Sequence, residues 1–161
     1  MAKVNPIPAG SEGLIPHLVC DPCVAAIDFY KKAFGAEESY RMQAPDGNRL
    51  MHAEIRIDGR PLFLADDFPE YCGGKASSPR ALGGTPVTIH RYVKDCDAAI
   101  KRAVDAGATV KMPASDMFWG DRYGVVIDPF GHTWSLATHQ RDLSPDEMAK
   151  GAQAAFAQPG S

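Results

Sequence analysis

The sequence lacks any long apolar run. A helix that crosses a bilayer needs about 20 consecutive apolar residues, and no stretch of the 161-residue sequence comes near that length. Residues 1–6 contain no apolar core of the kind found in a secretory signal peptide. We therefore predict no membrane partner and expect a cytoplasmic protein.

Positive charge is also scarce. The 17 Lys and Arg residues are outnumbered by 20 Asp and Glu residues, which gives a formal net charge of −3, and no basic run occurs. Because nucleic-acid-binding proteins usually present a basic face to the phosphates, this charge argues against a nucleic-acid partner. The composition, 45% hydrophobic and 23% charged, is typical of one compact globular domain, predicted over 1–161.

Cysteines number only four, and they do not form two matching pairs. Cys20 and Cys23 have the C-x-x-C spacing of zinc or redox sites, but Cys72 and Cys96 stand apart and supply no second pair. A redox motif of the thioredoxin type opens a helix, whereas Cys20 is predicted to end a strand. The pattern favours reduced cysteines without a redox or zinc function.

What the sequence does contain is an internal repeat. The segment 17–27 returns 73 residues later as 90–100, and the segment 59–65 returns 72 residues later as 131–137. A repeat of this period indicates a duplicated unit that is too small to bury its own apolar face. We therefore expect the two copies to pack together and function to lie where they meet.

Each copy has the pattern of a strand, a helix and three further strands. The first module is predicted over 14–67 and the second over 86–139. A connecting loop rich in Gly, Pro and Ser is predicted over 68–85, long enough to act as a lid or to serve as a linker.

Several residues mark helix boundaries. Asp21 and Pro22 are predicted to begin the first helix, with Asp21 as its cap, and Gly35 is predicted to end it. The segment 144–147 reads Ser-Pro-Asp-Glu, a capping box with proline at the first helical position. A C-terminal helix is therefore predicted over 144–156, with no counterpart in the first copy.

Strand alternation assigns side chains to faces. In the third strand the odd-numbered residues of 51–57 are apolar and are predicted to pack on the helices, while His52 and Glu54 lie on the opposite face. The repeat makes His17 and His90 equivalent. Two curved sheets with their free concave faces turned together would enclose a cleft that both histidines face.

The duplicated unit, the helix sequence at 26–30 and Asp-Pro-Phe-Gly-His at 128–132 together resemble the vicinal oxygen chelate superfamily. This superfamily includes glyoxalase I, bleomycin-resistance proteins and extradiol dioxygenases. The similarity spans 14–139, and 118–124 is most similar to the bleomycin-resistance branch. It implies an α+β fold in which tandem βαβββ modules form a paired, curved eight-stranded barrel-like sheet with helices outside. It also implies a homodimer with a ligand cleft between modules, but no single reaction.

The same resemblance locates the position where catalytic relatives bind metal. Their His, Gln or Glu ligands correspond to Ile15, Phe63, Thr88 and Ser135 in this sequence. Ile and Phe have no donor atom, and neutral hydroxyl groups do not hold a divalent transition ion against water. We therefore predict no metal cofactor at the glyoxalase position.

A shifted metal site stays open as an alternative. His17 and His90 lie two residues beyond the missing ligands, and Asp67 and His139 are expected near the same cleft. Two imidazoles and a carboxylate would bind a divalent zinc or iron ion. The simpler interpretation is that each histidine hydrogen-bonds to backbone or to a ligand.

The most ligand-like feature is an aromatic and arginine cluster formed by Phe118, Trp119, Arg122 and Tyr123. Phe118 and Trp119 offer flat apolar surface, and Arg122 offers a planar fork for a carboxylate or phosphate. Alternatively, Trp119 closes one end of the barrel and Arg122 pairs with Asp121 or Asp128. The complete predicted ligand-binding set is His17, Phe63, Thr88, His90, Phe118, Trp119, Arg122 and Ser135.

His52 and Glu54 are the candidate catalytic pair. Glu54 would act as a general base tuned by His52, unless it forms an ion pair with Arg49 or Arg56. Two functions follow. One is a homodimeric protein that binds a small, partly aromatic organic ligand, and the other is a lyase, isomerase or dioxygenase that uses a shifted metal or Glu54.

Overall fold

The computed structural model describes residues 4–157, which form two compact units. The first comprises the chain up to Thr85 together with Pro129–Gly131, and the second comprises Pro86–Asp128 and the chain from His132 onward. Each unit contains a mixed four-stranded sheet and helices, so the predicted α+β class is confirmed. The eight strands form two four-stranded sheets, one in each unit.

The first unit follows the order strand, helix, three strands. Its elements are β1 (His17–Val19), α1 (Cys23–Phe34), β2 (Glu37–Gln43), β3 (Leu50–Ile57) and β4 (Arg60–Ala65). The sheet order is β1-β4-β3-β2, with β1 parallel to β4 and the other pairs antiparallel. The connection to the second unit contains a 3-10 turn over Pro69–Tyr71 and a short helix, α2 (Pro79–Leu82).

Helix α1 and strand β3 form the core of this unit. The buried residues of α1 recur every three or four positions, and β3 buries Ala53, Ile55 and Ile57 on the facing side. Phe130, from the segment Pro129–Gly131, packs edge-on against Phe29 at 6.3 Å between ring centroids. The predicted apolar face of β3 is thus confirmed, except that the start of the strand is irregular and leaves Met51 47% exposed.

The start of α1 differs from the prediction. Pro22 is the N-cap and makes no side-chain cap, so Asp21 does not cap this helix. Asp66, at the end of β4, accepts a hydrogen bond from the Cys23 amide at 2.8 Å and another from the Leu50 amide at 2.6 Å. Folding thus supplies the cap from a residue 43 positions away. Gly35, with φ of 68°, ends the helix as predicted.

The second unit repeats the same order and adds a C-terminal helix. Its elements are β5 (Thr88–Tyr92), α3 (Cys96–Asp105), β6 (Thr109–Asp116), β7 (Asp121–Ile127), β8 (Thr133–His139) and α4 (Pro145–Ala157). The sheet order is β5-β8-β7-β6. Asp95 caps α3 through the Ala98 amide, and the Ser144–Glu147 capping box forms as the sequence predicts.

Buried thiols account for three of the four cysteines. Cys20, Cys23 and Cys96 are buried, Cys72 is exposed, and all four are free thiols. Burial and the neighbouring Asp66 carboxylate raise the pKa of Cys23 to about 12, which keeps it protonated and unreactive. Within residues 4–157 no helix is long and apolar enough to span a membrane.

Candidate functional site

In the first sheet, several predicted site residues lie on the face that does not pack on α1, here called the helix-distal face. The parallel pairing of β1 with β4 sets His17 beside Phe63. The antiparallel pairings continue this row from Phe63 to Glu54 and from Glu54 to Tyr40. Because side chains alternate along a strand, His52 shares the face with Glu54.

His52 lies at the centre of this cluster. Its Nε2 is 3.3 Å from Glu54 Oε1, and its ring centroid is 4.8 Å from that of Phe63 and 6.0 Å from that of His17. The pKa of His17 is lowered because its own ring is partly buried and, secondarily, because the imidazole of His52 is close by. A carboxylate in contact with an imidazole can take up a proton and pass it on, which is the chemistry of a general base.

Neither arginine predicted as an alternative partner contacts the Glu54 carboxylate within residues 4–157. Arg49 Nε lies 2.7 Å from Asp46 and its NH2 group lies 2.6 Å from Glu70. Arg56 donates to two backbone carbonyl groups. The carboxylate of Glu54 therefore has His52 as its neighbour.

The second sheet carries a row of aromatic rings on its own helix-distal face. His90 pairs with Ser135, and its Nδ1 is hydrogen-bonded to the serine Oγ at 2.8 Å. Tyr123 stacks on His90 at 6.2 Å between centroids, and Tyr92 meets His90 edge-on at 4.7 Å. Trp119 extends the row, 5.7 Å from Tyr123. Tyr92 is 61% exposed, so this end of the aromatic row is accessible.

A buried carboxylate holds the ends of this row. Asp121 is only 4% exposed and accepts hydrogen bonds from Tyr92 Oη at 3.1 Å, Trp119 Nε1 at 3.2 Å and His139 Nδ1 at 2.7 Å. The Nε2 of His139 lies 3.0 Å from Asp142 Oδ1. Hydrogen bonds to Asp142 and Asp121 raise the pKa of His139, which favours the doubly protonated ring.

Three of these residues are missing from the predicted ligand-binding set. Tyr92 could have been found by alternation, since it lies two positions beyond His90 on the same strand face. Tyr123 belongs to the aromatic and arginine cluster predicted from the sequence, but it is not in the ligand-binding set. The sequence does not show that Asp121 accepts three hydrogen bonds, because two of its donors, Tyr92 and His139, lie on other strands.

Two predicted ligand residues flank the row. Thr88 lies two positions before His90 on the same strand face. Phe118 is half-buried and contacts Trp119 edge-on at 5.0 Å. A Cβ added at Gly151 of α4 would lie 3.1 Å from Phe118 Cβ, so Phe118 packs against α4 and supports Trp119 from the side.

Arg122 is not brought to the aromatic row. Alternation turns its side chain to the other face of the sheet, where its guanidinium pairs with Asp97 of α3 and, at 3.0 Å, with Asp116. The predicted alternative was therefore right in form, since Arg122 forms ion pairs, but wrong in its partners Asp121 and Asp128. Arg122 does not pair with Asp121 because the two residues are adjacent in β7, so their side chains point to opposite faces of the sheet.

The residues at the family's metal position do not fit a divalent ion. Ile15 precedes β1, Phe63 lies among aromatic rings, and the Ser135 hydroxyl is already bonded to His90. Thr88 contributes only a neutral hydroxyl. This set contains no carboxylate, thiolate or imidazole, so it supplies none of the strong ligands of zinc, iron or nickel.

The residues of the shifted alternative have other partners. Asp67 accepts hydrogen bonds from the amides of Ser77 and Ser78, both at 2.8 Å, and His139 is held between two aspartates. In the described range 4–157, no three His, Cys, Asp or Glu side chains are grouped to hold a metal ion.

Comparison with known proteins places this geometry in a family. The model of the Glyoxalase/Bleomycin resistance protein/Dioxygenase superfamily matches residues 15–136. An uncharacterized protein of Mycobacterium bovis is 56% identical over 135 residues, which cover 84% of this chain and 88% of that protein.

Solved structures agree with this assignment. The X-ray structure of a gene product from Arabidopsis thaliana has a TM-score of 0.62 at 30% identity, covering 78% of this chain and 97% of that one. A glyoxalase-related enzyme from Fulvimarina pelagi also has a TM-score of 0.62, covering 79% of this chain and 88% of its own, but at 21% identity it shows the fold alone. With the repeated module and the match over most of its length, the chain belongs to the glyoxalase/bleomycin resistance protein/dioxygenase superfamily.

Proposed function

We propose that this protein binds a small, partly aromatic organic ligand on the helix-distal face of the second sheet. The observation that carries this proposal is the aromatic row of Tyr92, His90, Tyr123 and Trp119, which is accessible at Tyr92. Flat rings offer a ligand large apolar contact area with little loss of side-chain entropy on binding.

Polar groups beside the row would orient such a ligand. The hydrogen bond to Ser135 fixes the ring of His90, and the other ring nitrogen makes no hydrogen bond within the described residues. A neutral imidazole offers either a donor or an acceptor at that atom, so it can address a hydroxyl or carbonyl group. A small number of placed polar groups in a mostly apolar surface is typical of small-molecule sites.

Asp121 would act as a positioning residue. Its carboxylate is buried and already accepts three hydrogen bonds, so it holds Tyr92 and Trp119 in place and has little capacity left for a ligand. Rings held in this way are preorganised, which reduces the entropic cost of binding. The similarity of 118–124 to the bleomycin-resistance branch also supports a binding function.

A thermal-shift screen with flat hydroxylated and carboxylated aromatic compounds tests this proposal. A compound that binds only the folded state raises Tm. We expect Tyr92→Ala and Trp119→Ala to weaken binding of any hit at least about tenfold, as for aromatic contacts at a binding site. Tyr71→Ala is the matched control, because Tyr71 is 82% exposed and lies in the 3-10 turn of the first unit. Equal affinity in all variants would refute the assignment to this face.

A second candidate function is proton transfer by Glu54. The separation of 3.3 Å between Glu54 and His52, on a face walled by Phe63, favours it. Such a base would remove a proton from a carbon next to a carbonyl group. Exchange of carbon-bound protons of small ketones and keto acids into D2O, followed by NMR, measures this activity. Exchange that disappears in Glu54→Gln supports it, and exchange no faster than buffer in the wild type excludes it.

A further inference from the structure

The first unit contains a cavity that neither proposed function uses. It has a volume of about 510 Å³ and lies where the segment after β4 passes the start of β3 and the residues that precede α1. Its charged lining consists of Asp21, Arg49, Asp66, Asp67 and Arg80. This volume is in the range of small-molecule sites.

Three of these five charged side chains already bind other groups of the protein. Asp66 accepts two backbone hydrogen bonds, and Asp67 holds the amides of Ser77 and Ser78. Arg49 is paired with carboxylates and stacks on the Phe68 ring at 4.2 Å. These contacts fix the walls of the cavity, so that a ligand would enter a preformed site.

Arg80 and Asp21 differ from the other charged residues. Arg80 donates to the carbonyl oxygens of Asp21 and Pro129 at 3.3 and 2.5 Å, and pairs with no carboxylate among residues 4–157. The carboxylate of Asp21 likewise accepts no hydrogen bond from the described residues. A guanidinium group has five N–H donors in a planar fork that matches a carboxylate. Arg80 therefore has donors left to bind the carboxylate of a ligand.

The charges that line the cavity favour a ligand that carries both a positive and a negative group. Three aspartates and two arginines line the cavity, so a simple anion would meet net negative charge. A ligand with one carboxylate and one ammonium group would pair with Arg80 and Asp21 at once. The apolar lining residues Pro69, Ala76 and Ala81 leave room for an aliphatic portion.

We propose that this cavity binds a small zwitterion of the α-amino acid type, with its carboxylate on Arg80 and its ammonium group near Asp21. The site belongs wholly to the first unit and is independent of the aromatic row. Its occupant therefore differs in chemistry from the ligand proposed for the second sheet.

Titration of ¹⁵N-labelled wild-type protein with the standard L-amino acids tests this proposal. We expect at least one of them to shift the amides of Ala76, Ser78 and Ala81 at concentrations up to about 10 mM, a range that detects even millimolar affinity. For that amino acid, the amide derivative lacks the carboxylate and the hydroxy acid lacks the ammonium group. Both should bind at least about tenfold more weakly, since each leaves one charge of the site unpaired.

Variants provide a second test. Arg80→Gln and Asp21→Asn should each weaken binding of the same amino acid at least about tenfold, while Arg60→Gln, on an exposed arginine of the same unit, should not. The derivatives are tested on wild-type protein, so the result stands even if Arg80→Gln loosens the loop. No amide shift with any amino acid, equal binding of the derivatives, or undiminished binding to Arg80→Gln would overturn the proposal.

Discussion

Asp66 is a buried carboxylate that serves two backbone amides, those of Cys23 and Leu50. It therefore ties the start of α1 to the start of β3. Asp95 in the second unit has the simpler task of capping α3 through one exposed hydrogen bond to Ala98. These two aspartates act at equivalent helices in the two repeats, but with very different burial.

We predict that Asp66→Ala lowers the free energy of unfolding by about 2–6 kcal/mol, because the amides of Cys23 and Leu50 both lose their acceptor and each unsatisfied buried donor costs roughly 1–3 kcal/mol. Asp95→Ala is the matched control and should cost about 1 kcal/mol, the typical value for an exposed helix cap. Urea denaturation followed by circular dichroism measures both. Equal losses in the two variants would mean that the Asp66 contacts contribute no more than an ordinary cap.

His139 should titrate above the ordinary histidine pKa of 6.5, because Asp142 and Asp121 favour its protonated form. A raised pKa in the folded state stabilises the protein below about pH 6.5, and this contribution is lost as the pH rises through the folded pKa. Asp142→Asn should therefore lower the free energy of unfolding under mildly acidic conditions and have less effect at high pH. Urea denaturation as a function of pH provides the measurement, and a difference that grows with pH would contradict the assignment.

His17 should behave in the opposite sense. Partial burial, and secondarily His52, lower its pKa below 6.5. Its contribution to stability is present above about pH 6.5 and is lost as the pH falls through the folded pKa. Histidine proton resonances followed by NMR should give His17 a lower pKa than His139, and His52→Gln should move the His17 value upward. A His17 pKa at or above that of His139 would contradict this prediction.

At the scale of elements, α3 approaches β7 closely at one glycine. A Cβ at Gly124 would overlap Ile100 Cδ1 and would lie 3.1 Å from the Ala114 nitrogen and from the Met112 oxygen. Gly124 is thus required by contact with the helix, since its backbone does not adopt a left-handed conformation. The Ile100 side chain on α3 packs directly over Gly124 of β7, where no side chain is in the way.

Gly124→Ala should destabilise the protein by about 1–3 kcal/mol, the usual cost of inserting a methyl group into a packed interior. Ile100→Val removes the overlapping Cδ1 methyl, so the double variant should be more stable than the sum of the two single effects predicts. Thermal or urea denaturation of all four proteins completes this cycle. Additive losses would indicate that the cost of Gly124→Ala lies in the backbone contacts.

For the whole molecule, we predict a homodimer, because proteins of this superfamily usually associate through a twofold axis. Light scattering at micromolar concentration should give twice the chain mass of 17.3 kDa. A mass of one chain under these conditions would contradict the prediction. A cytoplasmic location also stays a prediction.

We also predict that the purified protein carries no stoichiometric metal at the glyoxalase position, because Phe63, Thr88 and Ser135 supply no strong ligand. Elemental analysis should find no transition metal near one equivalent per chain. About one ion per chain, lost in a His17→Ala and His90→Ala double variant, would instead indicate a metal-dependent enzyme with a shifted site.

The sequence alone determined the repeated module, the α+β class and the C-terminal helix. These are local or periodic properties: Gly35 ends α1 with a positive φ, Ser144 and Glu147 cap each other within one turn, and alternation in β3 separates its apolar and polar faces. Alternation also identified His52 and Glu54 as neighbours. Such patterns depend on residues a few positions apart, so they can be read without a structure.

Tertiary structure decided which distant side chains meet. Asp66 caps a helix 43 residues earlier in the chain, and Asp121 accepts hydrogen bonds from Tyr92 and His139, which lie on two other strands. The cavity beside Arg80 depends on the path of a long connection that has no periodic pattern. Arg122 lies away from the aromatic row because consecutive residues of a strand point to opposite faces of the sheet, so a shift of one position changes the face. These contacts join residues that are remote in sequence, so no local pattern specifies them and only the folded chain brings them together.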